Sequence, residues 1–447
     1  MLACGVTQLA VPSAAQVTGR AHRIRGAAAV LYSWGNNFSG QLGTGAPLRT
    51  TATTPATVKL PADVTPTAVA GGSTFAFAAG LGGAVYAWGD NLHGQLATGR
   101  IGQPSPVPVK VSLPDGVSAL SVAAGDSSAY VIGSDGKLYD WGNNKSGQLG
   151  IGSTKSRYRP GTVQLPDGAR PEAIAAGKFS AYAIGSNGVL YSWGQNEAGQ
   201  LGNNSFSTIP STTPVRVALP SDVTPVKIAA GQSDAYALAS NGTVYAWGDN
   251  HAGQLGNSMI REHGSPVPVP VLLPSGVTPA ALASGLNSAY VLTKDGLIYA
   301  WGDNGEGQLG DGTRDNRFLP VRVSLPPGAQ PVQLTAGAIS AYAMGATGKL
   351  YAWGNNVFGQ LGNGTTQGVL VPTPIPLPAG VAAAALVPES GSTSAYLITA
   401  PARSWLLCCA RAVLPDRGDG RVSQRTAAAE RRGVPHRFRY RDRPHLQ

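Results

Sequence analysis

The stretch that decides the fold is Leu31-Tyr32-Ser33-Trp34-Gly35-Asn36-Asn37, which Gly40-Gln41-Leu42-Gly43 closes. This pattern recurs seven times at steps of 52–54 residues, with an Asn three positions after each Trp and then Gly-Gln-Leu. The tryptophans of the seven copies are Trp34, Trp88, Trp141, Trp193, Trp247, Trp301 and Trp353. A fixed period of this length is typical of repeat architectures, in which each unit buries its apolar face against its neighbours. We therefore expect the seven tryptophans to form the structural core between units.

Each unit predicts four short β-strands. In the unit that ends at Trp193, we expect strands over 163–166, 171–177, 180–184 and 190–193. Ser186-Asn187-Gly188 fits a tight hairpin turn, because Asn and Gly tolerate positive φ. Four antiparallel strands per unit of about 53 residues are typical of a propeller blade. The chain is therefore predicted to be all-β, a seven-bladed β-propeller.

The two ends of the repeat region complement each other. The first unit begins with a fourth strand at 30–34 and has no third strand before it. The last recognisable strand, at 394–398, is a third strand with no Tyr-x-Trp after it. We predict that these two strands pair, since pairing completes the seventh blade and removes two exposed sheet edges.

Composition and charge limit the function classes. With 60 Gly, 34 Pro and 13% charged residues, the chain favours short strands and many turns. The net charge of +10 comes from the ends, because residues 30–400 balance 19 basic against 19 acidic side chains. A neutral body does not indicate a nucleic-acid surface on the propeller. Any contact with an anionic surface would be made by the basic tail.

Three regions are predicted along the chain: a leader at 1–29, the propeller at 30–400 and a disordered basic tail at 401–447 that holds eleven Arg. The leader is either a truncated signal peptide, ending near Ser13-Ala14-Ala15, or a disordered segment. The first interpretation implies export and the second a cytoplasmic protein. All three Cys lie outside the repeats, and no stretch approaches the ~20 apolar residues of a membrane span.

The motif Tyr-x-Trp-Gly-x-Asn-x-x-Gly-Gln-Leu-Gly, with Ala-Ala-Gly-x-x-Ser-Ala-Tyr half a unit away, closely resembles the regulator of chromosome condensation repeat over about 30–400. The resemblance implies the same seven-bladed propeller. That family includes a nuclear guanine-nucleotide exchange factor for the small GTPase Ran, which docks on nucleosomes. It also includes ubiquitin-ligase regions, membrane-traffic proteins and bacterial propellers, and more distant bacterial relatives inhibit β-lactamases. The regular Ala- and Gly-rich units look most like the bacterial members.

No residue pattern indicates an enzyme, a cofactor or a metal site. His93, His251 and His263 occupy variable loop positions, so no Ser-His-Asp arrangement can be argued. Gly305-Glu306-Gly307-Gln308-Leu309-Gly310 matches a dinucleotide fingerprint, but it is the ordinary repeat loop and no βαβ unit follows. The recurrent Gln of the loop is better explained by hydrogen bonds to the loop backbone than by a ring-shaped ligand site.

We therefore predict a monomeric, non-catalytic scaffold that binds a protein partner. Arg and aromatic residues on protruding loops are typical of binding hot spots. The candidate residues are Arg157, Tyr158, Arg159, Arg261, Glu262, His263, Arg314, Arg317 and Phe318.

Two alternatives stay open. One is an exchange factor for a Ran-like GTPase, and the other is an exported inhibitor or surface-binding propeller. The exchange activity of the family relies on a projecting insertion in one blade. The Trp spacing of 52–54 residues leaves no room for such an insertion.

Overall fold

The computed structural model describes residues 29–258, 264–387 and 391–400. The basic tail at 401–447, the leader up to residue 28 and the candidate residues Arg261, Glu262 and His263 lie outside the described residues. The expectation of export depends on the leader, so it stays a prediction.

The described residues form 28 β-strands and one short 3-10 turn at Pro166–Gly168. In chain order the strands are β1 (Leu31–Asn37), β2 (Thr50–Thr57), β3 (Pro66–Gly71), β4 (Phe75–Gly80), β5 (Val85–Gly89), β6 (Ser105–Val111), β7 (Ala119–Ala124), β8 (Ser128–Gly133), β9 (Leu138–Gly142), β10 (Arg157–Val163), β11 (Pro171–Ala176), β12 (Ser180–Gly185), β13 (Leu190–Asn196), β14 (Ser207–Arg216), β15 (Pro225–Ala230), β16 (Asp234–Ala239), β17 (Val244–Gly248), β18 (Ser265–Pro270), β19 (Pro279–Ser284), β20 (Ser288–Thr293), β21 (Ile298–Gly302), β22 (Arg317–Arg322), β23 (Pro331–Ala336), β24 (Ser340–Gly345), β25 (Leu350–Gly354), β26 (Val369–Ile375), β27 (Ala383–Leu386) and β28 (Ser394–Thr399).

These strands make seven four-stranded antiparallel sheets, the blades of a closed propeller. Blades 1 to 6 each use four consecutive strands, from β3–β6 in blade 1 to β23–β26 in blade 6. The strands β7, β11, β15, β19, β23 and β27 line a central cavity of about 350 Å³. The predicted seven-bladed, all-β fold is confirmed.

Blade 7 joins the two ends of the repeat region, with strand order β2-β1-β28-β27. Strand β1 pairs antiparallel with β28, placing Tyr32 opposite Leu397 and Ser33 opposite Tyr396. The predicted closure is therefore confirmed. The first and last strands of the described repeat region therefore pair with each other, which removes the two edges that an open array would expose.

One strand prediction is wrong in its position. The strand expected at 163–166 is the end of β10, which runs Arg157–Val163 and is the outer strand of the preceding blade. It pairs with β9 across the long repeat loop, with Val163 opposite Leu138. An outer strand needs no ladder bonds on its free side, so it tolerates the Pro160 that the sequence places there.

The core lies in the seams between blades. Each repeat Trp is fully buried, and the apolar cluster around Trp193 combines Tyr130 and Leu138 of blade 2 with Ala181 of blade 3. The Tyr130 ring meets the Trp193 ring edge to face, at 6.5 Å between centroids. The same Tyr–Trp contact recurs at other seams, for example between Tyr182 and Trp247 at 6.1 Å. Seam packing of these rings therefore holds the blades together.

No helix in the described part of the chain is long and apolar enough to cross a bilayer.

Candidate loop-face binding site

The repeat loops of all blades gather on one face. Because consecutive strands are antiparallel, the first-to-second and third-to-fourth connections of every blade emerge on the same side of the ring. The Gly-Gln-Leu loops are third-to-fourth connections, so they share this side, which we call the loop face. Residues that vary in these loops decide what the loop face can bind.

The recurrent Asn and Gln stabilise the repeat loop itself. In blade 7 the Asn37 Oδ1 accepts a hydrogen bond from the Leu42 backbone N–H at 3.1 Å, and the Gln41 Oε1 accepts one from Ser39 at 2.8 Å. Equivalent bonds occur in blade 3, where Asn196 binds Leu201 and Gln200 binds Ala198. These side chains are buried, so they do not form a ligand ring on the surface.

The backbone carbonyl of the same Gln links each blade to the next. The Gln148 carbonyl accepts the Tyr130 hydroxyl of its own blade at 2.6 Å and the Trp193 indole N–H of the following blade at 2.7 Å. The loops therefore have fixed positions relative to the seams.

The structure places the described members of the sequence-predicted binding set on two blades, and their role in binding stays a prediction. Arg157, Tyr158 and Arg159 lie in β10 of blade 2 rather than in a protruding loop. Arg317 and Phe318 begin β22 of blade 5, three blades away, and Arg314 lies in the loop before that strand. The prediction of loop residues is therefore wrong for the β10 and β22 positions. The outer strand begins earlier in the repeat than the sequence pattern suggested.

Two of these arginines bind carboxylates of their own blades. The Arg157 guanidinium contacts Asp140 at 2.8 Å, and the Asp140 side chain is fully buried. The Arg317 guanidinium contacts Asp311 at 2.7 Å. Hydrogen bonds from Thr313 and Arg317 hold the pKa of Asp311 below its ordinary value, although partial burial opposes them.

The aromatic candidates pack in the seams. A Cβ at Gly94 would lie 2.3 Å from the Tyr158 ring, and one at Gly253 would lie 2.9 Å from the Phe318 ring. Each ring therefore covers a glycine in the loop of the preceding blade. This contact stabilises the seam and leaves less than half of each side chain exposed.

A different set of side chains is exposed at the loop tips. Three residues after the Gly of Tyr-x-Trp-Gly, blades 6, 7 and 1 carry Val357, Phe38 and Leu92, which are 58%, 48% and 67% exposed. The other four blades carry polar residues or Gly there: Lys145, Glu197, His251 and Gly305. Phe358, the next residue of blade 6, meets Phe38 edge to face across the seam at 5.6 Å between ring centroids. We call Val357, Phe358, Phe38 and Leu92 the apolar strip.

The backbone beneath the apolar strip is held in place. The N–H groups of Phe38 and Val357 donate to the side-chain oxygens of Asn36 and Asn355, at 2.8 and 3.1 Å. The N–H of Leu92 donates to Asp90 at 3.2 Å. These local bonds fix the tips without a partner, so the strip is preorganised.

Carboxylates border the apolar strip at both ends. Beyond blade 6, the Glu306 carboxylate of blade 5 accepts a hydrogen bond from Asn355 at 3.0 Å. Asp303 lies in the same loop, and Asp90 precedes Leu92 in blade 1. Between these ends, the described loops of blades 6 and 7 on this face carry one charged side chain, Arg49. The loop face therefore combines an apolar centre with carboxylates on either side of it, and the blade 1 loop also carries the exposed Arg100.

Two carboxyl groups, those of Asp140 and Asp234, are fully buried. Burial raises the pKa of Asp140 to about 8 despite the Arg157 guanidinium, and burial raises the pKa of Asp234 to about 8. Tyr236 has one hydroxyl proton for two acceptors, the Gln254 carbonyl at 2.7 Å and the Asp234 carboxyl at 2.5 Å. A protonated Asp234 supplies the second proton. In the described residues no cluster of three His, Cys, Asp or Glu could hold a metal ion.

Comparison with known proteins agrees with this geometry. A family model described as an RCC1-like domain matches residues 30–395. The chain belongs to the RCC1-like domain family. The resemblance to the regulator of chromosome condensation repeat is thereby confirmed, while the likeness to bacterial members stays a prediction.

The RCC1-like domain has relatives of very different length. The human E3 ubiquitin-protein ligase HERC2 is 32% identical over 67% of this chain, but over 6% of its own length. The Ultraviolet-B receptor UVR8 of Arabidopsis thaliana is 31% identical over 63% of this chain and 62% of its own length. This chain therefore spans less than two thirds of either relative.

Solved structures share the fold of this RCC1-like domain. Yeast RCC1 (Prp20), solved with Kap60, superimposes with a TM-score of 0.75 at 22% identity, over 84% of this chain and 89% of that chain. Human WBSCR16 superimposes with a TM-score of 0.72 at 23% identity, over 83% and 99%. At these identities the likeness concerns the propeller fold alone.

Proposed function

We propose that this RCC1-like domain is a non-catalytic scaffold that holds a protein partner on its loop face. The observation that carries the proposal is the apolar strip: three adjacent blades expose Val357, Phe38 and Leu92 at a position where the other four blades are polar or carry Gly. The repeat fold does not need these side chains, because the polar blades fold in the same way. Exposed apolar side chains that share one surface region are typical of protein interaction sites.

The chemistry of the described residues supports binding rather than catalysis. Asp140 and Asp234, whose pKa values burial raises to about 8, are fully buried. The strip offers rigid apolar side chains with a polar border, which is the composition of an interface centre and its rim. The proposed partner is a protein, with neither cofactor nor nucleic acid required.

The solved relatives also support a binding role. One structure holds yeast RCC1 (Prp20) bound to Kap60, and another report concerns the binding of Prp20p from Saccharomyces cerevisiae to Gsp1p and histones. Those partners belong to those proteins. Their binding of other proteins supports a binding role for this chain.

A pair of variants tests the proposal. Phe38→Ser with Val357→Ser removes two exposed apolar side chains, and Ile209→Ser removes one of similar size that is 78% exposed on β14 of blade 3. We expect a partner recovered with the intact chain to bind the Ile209→Ser control equally and the double variant at least tenfold more weakly. Equal binding to all three proteins, measured with purified partner by calorimetry, would place the interface elsewhere.

The exchange-factor alternative is tested separately. In the described residues every blade has four strands, and none carries an additional hairpin. We therefore expect the chain to leave the release rate of labelled GDP from a Ran-like GTPase unchanged. Acceleration that depends on the concentration of this chain would make exchange, rather than scaffolding, its activity.

A further inference from the structure

We infer that the apolar strip binds an amphipathic helix of a partner protein whose apolar stripe is bordered by Lys or Arg. This inference rests on the proposed scaffold function and specifies the chemistry of the partner. It follows from three features of the loop face. The backbone N–H groups of the loop tips already have acceptors, the exposed apolar side chains follow the order of the blades, and carboxylates lie on either side of them.

The loop tips cannot extend a partner strand. Both N–H groups at each tip are already used: Phe38 and Ser39 donate to Asn36 and Gln41 at 2.8 Å each. In blade 6, Val357 and Phe358 donate to Asn355 and Gln360, at 3.1 and 2.9 Å. Strand addition needs a row of free backbone groups. Recognition at the strip must therefore use side chains, which a helix presents while satisfying its own backbone.

The exposed apolar side chains form a row of loop-tip positions on adjacent blades. Phe358 and Phe38 contact each other across the seam between blades 6 and 7. Val357 precedes Phe358 in blade 6, and Leu92 occupies the position of Phe38 in blade 1. An apolar stripe with residues at i, i+3, i+4 and i+7 matches a row of this kind. The row follows the curve of the ring, so a helix would lie across the tips of blades 6, 7 and 1.

The charges around the row determine which residues should flank the apolar stripe of the partner helix. Asp303 and Glu306 lie at the blade 5 end and Asp90 at the blade 1 end, while blades 6 and 7 contribute no carboxylate to the described loops of this face. Arg314 lies 3.9 Å from Glu306, whereas neither Asp303 nor Asp90 forms an ion pair within the described residues. Cationic residues beside the stripe would meet these carboxylates, and acidic residues would be repelled.

The native sequence supplies a neutral replacement for the flanking charges. Asn36, Asn143 and Asn355 occupy the same loop position as Asp90 and Asp303. Asn355 makes the same two bonds through its Oδ1, to Val357 at 3.1 Å and to the Gln360 amide at 2.8 Å. Asp90→Asn and Asp303→Asn therefore remove charge and keep the loop.

The experiment is a selection of 16-residue peptides from a displayed random library on the full chain, with counter-selection on the Phe38→Ser/Val357→Ser variant. We expect enrichment of peptides with apolar residues at i, i+3, i+4 and i+7 and with flanking Lys or Arg. In fluorescence anisotropy, a fluorescein-labelled enriched peptide should bind the double variant at least tenfold more weakly and the Ile209→Ser control equally. Asp90→Asn/Asp303→Asn should weaken it about three- to tenfold and reduce its salt dependence.

Different failures are distinguishable. Enriched peptides that lose binding to the double variant but carry acidic or uncharged borders would overturn the partner chemistry and leave the scaffold function standing. No enrichment over the double variant would overturn both at this surface. A dimer of the full chain in light scattering that dissociates in the double variant would make a second copy the occupant instead.

Discussion

The indole Nε1 of Trp34 donates a hydrogen bond to the backbone carbonyl of Gln360 at 2.8 Å, joining residues 326 positions apart. The same bond links Trp88 to Gln41 and Trp193 to Gln148, each at 2.7 Å, so every seam repeats it. Between blades 6 and 7 this bond attaches the N-terminal strand β1 to the loop of blade 6. It therefore supplements the β1–β28 pairing that closes the ring, and it is the same interaction that joins every other pair of neighbouring blades.

Trp34 and Trp193 should contribute equally to stability. Both are fully buried, and replacing either by Ala removes a large ring and leaves a Gln carbonyl with one donor fewer. We expect Trp34→Ala and Trp193→Ala each to lower the free energy of unfolding by ~3–5 kcal/mol. Urea titration followed by circular dichroism measures it. An unchanged urea midpoint for Trp34→Ala alone would show that the seam between blades 6 and 7 contributes little to stability.

The Tyr hydroxyls of the seams should each contribute a small amount. The Tyr182 hydroxyl donates to the Gln200 carbonyl at 2.7 Å, and that carbonyl also accepts the Trp247 indole at 2.9 Å. Tyr182→Phe leaves the Gln200 carbonyl with one hydrogen bond. The Gln95 carbonyl of blade 1 is already in this state, because it accepts from Trp141 and Phe77 occupies the Tyr position. We therefore expect a loss of about 1 kcal/mol in the same titration. A loss comparable to that of Trp193→Ala would contradict this ranking.

Arg157 should act on stability through Asp140. Arg157→Ala removes the donor to the buried Asp140 carboxyl, whose pKa of about 8 lets it hold a proton at pH 7. We therefore expect a cost of ~1–2 kcal/mol at pH 7, that of a lost buried hydrogen bond rather than of an unpaired buried charge. The double variant Asp140→Ala/Arg157→Ala should recover most of this. Ala87, Ala246, Ala300 and Ala352 already occupy the Asp140 position in other blades. Additive costs in the double-mutant cycle would show that the two side chains act independently.

Asp234 should make stability depend on pH. Burial raises its pKa to about 8, whereas an unfolded Asp titrates near 3.9. Between these values the folded protein keeps a proton that the unfolded chain loses, so stability falls as pH rises, by up to ~1.4 kcal/mol per pH unit. Below pH ~4 both the folded and the unfolded states hold the proton, so this pH dependence of stability ends.

Asp234→Ser isolates this effect. Ser occupies the equivalent position in five other blades, at Ser128, Ser180, Ser288, Ser340 and Ser394. We expect the melting temperature of the variant to exceed that of the native chain by a margin that grows from pH 5 to pH 8. Asp140 titrates in both proteins, so it cancels in the difference. A margin that is constant across this range would mean that Asp234 does not titrate there.

The sequence by itself determined the number of blades, their four strands and the closure of the ring. Each blade repeats the same local contacts, so a motif such as Tyr-x-Trp-Gly carries its structural meaning within one period. The complementary halves at 30–34 and 394–398 were visible in the same way. The sequence also predicted that the Gln of the loop binds the loop backbone, because a Gly-rich loop leaves backbone groups that side chains must satisfy.

Only the tertiary structure decided which variable residues meet. Phe358 and Phe38 lie near opposite ends of the repeat region and meet because blades 6 and 7 are adjacent in a closed ring. Arg157 and Tyr158 looked available in the sequence, but the outer strand begins at Arg157 and directs them to Asp140 and to the loop at Gly94. A period fixes what every blade shares, whereas exposure at one position depends on the packing of the neighbouring blade.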